Sequence, residues 1–104
     1  MIITKKSDEA ALTLILEGRL DTNTSPQLER ELRQSINGVT ELTLDFTGLE
    51  YLSSAGLRVL LATQKIMNRQ GKLVIRHVNE TIMEIFEVTG FADILTIEQT
   101  ETPQ

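Results

Sequence analysis

Hydrophobic and polar positions recur along this chain with two different periods, and the switches between them mark out its elements. Ile2 to Lys5 predicts a short first strand, followed by a polar turn at Ser7-Asp8-Glu9. Ala11 to Glu17 is apolar with partial alternation and stops at Gly18, which predicts a second strand. Leu20-Asp21-Thr22-Asn23-Thr24-Ser25-Pro26 is rich in capping residues and offers proline at a first helical position. Behind it Leu28, Leu32, Ile36 and Val39 recur at helical spacing, with Glu29, Arg30, Glu31 and Arg33 on the other side, and Gly38 closes the helix. Glu41 to Phe46 predicts a third strand with Leu42, Leu44 and Phe46 on one face. Thr47 to Leu52 is expected to be a loop leading into a second helix, which starts at Ser53-Ser54, runs to about Gln70 and is stopped by Gly71. Lys72 to Arg76 predicts a fourth strand. Asn79 caps a third helix with an Ile82, Ile85, Phe86 stripe and Gly90 at its end. Ile94 to Ile97 is expected to be a last short strand, with a polar tail over 98–104.

The order ββαβαβαβ places the chain in the α/β class. Strands that alternate with helices imply a mixed, mainly parallel sheet with helices packed on it. The 104 residues suit one domain, expected over 1–97.

Composition narrows the function classes. Hydrophobic residues at 40% and charged residues at 24% indicate a folded chain rather than a disordered one. The absence of cysteine removes disulfides and thiolate metal ligands. A net charge of −5 argues against binding nucleic acid or an anionic membrane. Phe46, Phe86, Phe91 and Tyr51 are too few aromatics for a base-stacking platform. With neither a signal peptide nor a membrane-length apolar run, the expected location is the cytoplasm and no membrane insertion is expected. Asn23-Thr24-Ser25 and Asn79-Glu80-Thr81 match the glycosylation pattern and are better read as helix starts.

Little in the sequence points to catalysis. His77 is the only histidine, so a histidine metal site or a Ser-His-Asp triad would rest on it alone, and a structural or exposed role is the simpler reading. Gly71-Lys72 is followed by Leu73, with Ile66 where a phosphate loop needs its leading glycine. No dinucleotide fingerprint follows any strand. No cofactor, metal or enzymatic activity is expected.

The second helix carries more. At ~100° per residue, Leu57, Leu60, Leu61 and Met67 fall on one side and Val59, Ala62 and Ile66 on another. A narrow polar stripe between them holds Arg58, Lys65 and Arg69, with Ser54 at its head one turn before Arg58. Two readings of Ser54 stay open. A serine at a helix start is usually an N-cap, yet an exposed hydroxyl there also suits modification, since the N–H groups and dipole tolerate phosphate. The second apolar stripe is likewise either buried or a docking face.

The run Asp45-Phe46-Thr47-Gly48-Leu49-Glu50-Tyr51-Leu52-Ser53-Ser54-Ala55-Gly56-Leu57-Arg58-Val59-Leu60-Leu61 resembles the signature of STAS domains, in particular bacterial anti-sigma-factor antagonists. Gly18-Arg19-Leu20-Asp21 and Ile85-Phe86-Glu87-Val88-Thr89-Gly90-Phe91 extend the resemblance over nearly the whole chain. It implies a serine at the start of the second helix that, when unphosphorylated, allows binding to an anti-sigma factor and so frees a sigma factor for transcription. The anti-sigma factor implied is a serine kinase of the histidine-kinase-like ATPase fold, which phosphorylates that serine; a phosphatase reverses the modification. The family's Asp-Ser-Ser/Thr-Gly pattern falls on Ser53, Ser54, Ala55 and Gly56, so the phosphoacceptor maps to Ser54. Ser53 replaces the usual aspartate and Ala55 a hydroxyl residue. Asp21 matches a family aspartate near the serine, and with Ser53, Ser54, Gly56, Arg58 and Lys65 it makes up the expected partner-binding set. STAS domains also serve lipid and anion transporters as cytosolic subunits, and large signalling assemblies; these are the alternative roles.

Overall fold

Three successive crossovers build the parallel part of the sheet in a computed structural model that describes residues 1–98. The elements are β1 (Ile2–Asp8), β2 (Ala11–Leu20), α1 (Ser25–Ser35), β3 (Glu41–Leu52), α2 (Ser54–Gln70), β4 (Lys72–Arg76), α3 (Glu80–Thr89) and β5 (Ile97–Glu98), with a short 3₁₀ helix over Phe91–Asp93. The sheet order is β1-β2-β3-β4-β5; β1 pairs antiparallel with β2 and the remaining pairs are parallel. The mixed, mainly parallel sheet expected from the alternation is therefore what forms.

Because β2, β3, β4 and β5 advance in one direction along the sheet, right-handed crossovers put all three helices on the same face. Burial agrees. Leu12, Leu14 and Leu16 of β2, Leu42, Leu44 and Phe46 of β3, and Leu73 and Ile75 of β4 are all buried. They pair in register across the strands and so share that face. Thr13, Ile15, Thr43 and Val74 on the opposite face are only half-buried. The helices close the core with Leu28 and Leu32 of α1, Leu57, Leu60 and Met67 of α2, and Ile82 and Phe86 of α3.

Five elements differ from the sequence expectation. β2 does not stop at Gly18 but runs through it, at φ 104°, to Leu20. α1 ends at Ser35 with Ile36 as its C-cap, so Gly38 and Val39 lie beyond the helix. The segment expected as a loop, Thr47 to Leu52, continues β3. Its ladder to β2 shifts register between Ile15 and Glu17 and again between Gly18 and Arg19, so the buried positions step from Phe46 to Leu49 to Leu52. Bulges of this kind destroy the period-two pattern that identifies a strand. The first turn is a two-residue connection at Glu9-Ala10, with Glu9 at φ 56°, and β1 therefore reaches Asp8. Finally, most of Ile94 to Ile97 is not strand. Gly90 at φ 83° reverses the chain into the 3₁₀ helix, Leu95 N–H donates to the Phe91 carbonyl, and only Ile97–Glu98 pairs with β4. Glu98, expected to open the tail, thus belongs to β5, and its carboxylate meets Arg76 Nε at 2.6 Å. The rest of the expected tail, 99–104, lies outside the described residues.

On the half-buried face, Asp45 Oδ1 accepts from Thr47 N–H and Thr47 Oγ1 and lies 3.0 Å from His77 Nδ1. His77, at φ 60°, is therefore placed in a structural pair. Partial burial pushes the Asp45 carboxyl up, but the bonds from Thr47 and His77 together outweigh it and hold it below its ordinary 3.8. A folded value below the unfolded one stabilises the fold above the unfolded value, and that contribution is lost as pH falls through the folded value. Asp45→Asn is expected to lower stability at neutral pH and to flatten its decline below about pH 4. Urea midpoints across pH test this; parallel curves for the two chains would refute it.

Candidate functional site

The carboxyl ends of β2 and β3, where ligands of open α/β sheets commonly bind, are tied together by Ser53 N–H donating to the Leu20 carbonyl at 2.9 Å. This bond continues the ladder that pairs Arg19 with Tyr51 and Leu20 with Leu52, and together they set the starts of α1 and α2 side by side. Each start is organised differently.

Ahead of α1, Asp21 Oδ1 accepts from the backbone N–H groups of Asn23 at 3.0 Å and Thr24 at 3.1 Å. Thr24 Oγ1 bonds to the same oxygen and to the Arg19 carbonyl. Asp21 Oδ2 lies 3.6 Å from Arg19 Nε. The Thr24 N–H leads the causes that hold the Asp21 carboxyl below its ordinary value, with Asn23 and Arg19 adding to it against desolvation. Asp21 is thus the keystone of its own loop: its carboxylate bonds stay within residues 19–24, and its backbone carbonyl accepts from the Ser25 N–H at 2.8 Å.

At α2, Ser53 has extended backbone and its side chain accepts from Gly56 N–H at 3.4 Å. Ser53 is therefore the N-cap, and Ser54 is the first helical residue. Ser54 is exposed and its hydroxyl makes no hydrogen bond among the described residues. The two readings left open by the sequence are divided between adjacent serines: one caps, the other is free.

Gly56 is buried, and a Cβ there would lie 2.7 Å from Leu52 Cδ1 and 2.8 Å from Leu20 Cγ. The first turn of α2 comes this close to the strand ends because position 56 has no side chain. Alanine gains about 1 kcal/mol of helix propensity, against about 1–3 kcal/mol for overpacking. Gly56→Ala is expected to destabilise by about 1 kcal/mol, with amide shifts centred on Leu20, Leu52 and the first turn of α2. A higher urea midpoint in the variant would contradict this.

Arg58 and Lys65 are exposed on the outer face of α2, below Ser54. The fold thus brings Ser53, Ser54, Gly56 and Arg58 together at one end. It sets Asp21 across the β2–β3 junction from them, and leaves Lys65 nearly two turns below Arg58. The second apolar stripe is not buried. Val59 is half-buried, Ala62 is exposed and Ile66 is 43% exposed.

Two features of this end were not read from the sequence. The Arg19 guanidinium stacks over the Tyr51 ring, 4.2 Å from its centroid, on adjacent strands where the two residues pair in register. The register shifts along this end of β3 break the alternation that would mark the pairing in the sequence. Ser25 is buried, and its Oγ has no hydrogen-bond partner among the described residues. A serine at a helix start gives no sequence sign of that.

No group of histidine, aspartate and glutamate able to hold a metal occurs among the described residues, and no described helix is long and apolar enough to cross a membrane. The architecture is a one-sided α/β domain whose distinctive polar surface lies at two stitched helix starts. A family model described as "Mlab, STAS domain" matches residues 3–97, and the chain belongs to the STAS domain family. The anti-sigma-B factor antagonist of Listeria monocytogenes is 30% identical over 100 residues, covering 93% of this chain and 87% of its own length. An anti-sigma factor antagonist from Mycobacterium paratuberculosis superimposes with a TM-score of 0.86 at 19% identity, covering 95% of this chain and 86% of that one. SpoIIAA of Bacillus in its phosphorylated form gives a TM-score of 0.76 at 16% identity, covering 96% and 92%.

Proposed function

We propose that this chain is an anti-sigma-factor antagonist. Unphosphorylated, it binds an anti-sigma factor that is also a serine kinase of the histidine-kinase-like ATPase type, and so releases a sigma factor. The kinase phosphorylates Ser54 to end the interaction, and a phosphatase restores it. The curated relative from Listeria monocytogenes, an antagonist by name and similar along almost its full length, supports the role.

The observation that carries the switch is the exposed Ser54 hydroxyl, unbonded among the described residues, at the first position of α2 beside a neighbour that already caps the helix. A phosphate placed there disturbs no existing bond and meets the helix N–H groups and Arg58. The modification therefore acts on the partner and not on the fold. Asp21 and Gly56 shape the surface: one locks the loop ahead of α1, the other lets α2 approach the strand ends.

The test is a pull-down from host lysate with tagged wild type and Ser54→Asp, with mass spectrometry of the retained proteins. A kinase-like ATPase held by the wild type and lost with Ser54→Asp is the expected result. Transporter subunits held equally by both would replace the antagonist role with that of a transporter accessory.

A further inference from the structure

Between α1 and α2 the fold leaves a groove of about 230 Å³, walled by Leu32 of α1, Ile36 that caps its end, and Val59, Ala62 and Ile66 of α2. Toward the start of α2 it continues into a more polar pocket of about 270 Å³, and Glu29, Val59 and Ala62 line both.

Two independent observations say what this surface takes. The first is Ser25. It is 4% exposed, its Oγ has no hydrogen-bond partner among the described residues, and it lines the pocket together with Arg58. Buried hydroxyls are normally satisfied, so an unpartnered one on a residue that lines a cavity marks a place where a polar group from outside can complete it. The second is charge. Arg58, Lys65 and Arg69 are exposed along the outer face of α2 and enter no ion pair among the described residues. They span ~16 Å, three turns of helix, on a protein of net charge −5. Glu29, the carboxylate beside the groove, is engaged by Arg33 at 3.2 Å.

We propose, resting on the binding-module reading above, that this groove docks an acidic amphipathic helix of the partner protein. Its apolar face fills the space between α1 and α2 through anchors at helical spacing. Its carboxylates lie along Arg58, Lys65 and Arg69, and one of them reaches Arg58 and Ser25 Oγ at the head of the groove. A second copy of this chain is a poorer occupant. Its α3 offers Glu80, Glu84 and Glu87, but the apolar stripe of that helix, Ile82 and Phe86, is already buried in its own core.

The experiment titrates ¹⁵N-labelled protein with two synthetic helical peptides that share one leucine stripe and carry either glutamate or lysine beside it. The glutamate peptide is expected to shift the amides of Leu32, Ile36, Val59, Ala62 and Ile66. It should bind about tenfold more tightly than the lysine peptide, the sum of a few exposed charge pairs, and added salt should erase most of that difference. Ala62→Trp, which fills the groove, and the surface variant Lys65→Glu/Arg69→Glu should each remove the preference for the glutamate peptide while the chain stays folded. Equal binding of the two peptides, shifts that avoid the groove, or dimerisation that broadens the same amides without peptide would each overturn the proposal. Kinase capture abolished by Ser54→Asp yet untouched by Ala62→Trp would also overturn it and leave the antagonist reading standing. Groove binding of the glutamate peptide with no kinase captured would support the groove and remove the antagonist reading.

Discussion

Ser54→Asp is expected to weaken binding to the proposed anti-sigma kinase about a thousandfold while leaving the fold intact. One unit charge facing a partner carboxylate at ~4 Å and an effective dielectric of ~20 is worth about 4 kcal/mol, which is three orders of magnitude in affinity. A phosphate, at roughly −1.5 to −2 charges near neutral pH, should exceed that. The folded chain has no reason to object. Ser53 supplies the cap, the Ser54 hydroxyl bonds to nothing among the described residues, and an anion suits the first turn of a helix. Ser54→Ala, which adds no charge, should bind like the wild type and resist inactivation by the kinase. Calorimetric titration of the three chains, with amide spectra of each, decides the matter. An unchanged Kd for Ser54→Asp would place Ser54 outside the interface. Spectral change throughout the fold would replace local exclusion with refolding.

Gly71→Ala is expected to produce the largest loss of stability of any single methyl added to this chain, about 3 kcal/mol or ~10–20 °C in Tm. Gly71 stops α2, its N–H donating to the Met67 carbonyl at 2.7 Å, and the following Lys72 N–H donates to the Thr40 carbonyl at 2.9 Å. A Cβ at position 71 would collide with that same carbonyl oxygen, whose neighbours are held in turn because Thr40 N–H bonds to the Ala10 carbonyl. Backbone fixed on both sides does not yield as a leucine tip does. Gly71 lies at the opposite end of α2 from Ser54, so below its lowered Tm the variant should still bind the partner with unchanged affinity. Thermal unfolding with parallel binding measurements separates the two effects. A Tm within a few degrees of wild type would refute the collision.

The register of hydrophobic side chains was fully determined by the sequence wherever the backbone was regular. Leu42, Leu44 and Phe46, the α1 stripe at Leu28 and Leu32, and the Asn79 and Gly90 boundaries of α3 are all where a period of two or 3.6 places them, because local pattern and tertiary burial agree there. The helix start at Ser53-Ser54 and the outward direction of Arg58 and Lys65 follow from the same geometry. Only the tertiary structure decided what a single strand or helix cannot encode. The bulged end of β3 is a strand because β2 lies beside it to accept its bonds, and that pairing is what stacks Arg19 on Tyr51. Which of two adjacent serines caps and which stays free was settled by the Leu20 carbonyl, which holds Ser53 in the extended conformation that a cap requires. The apolar stripe of Val59, Ala62 and Ile66 reads from the sequence as core or surface alike. It became one wall of an open groove because α1 and α2 lie side by side on one face of the sheet, and the strands beneath set their spacing.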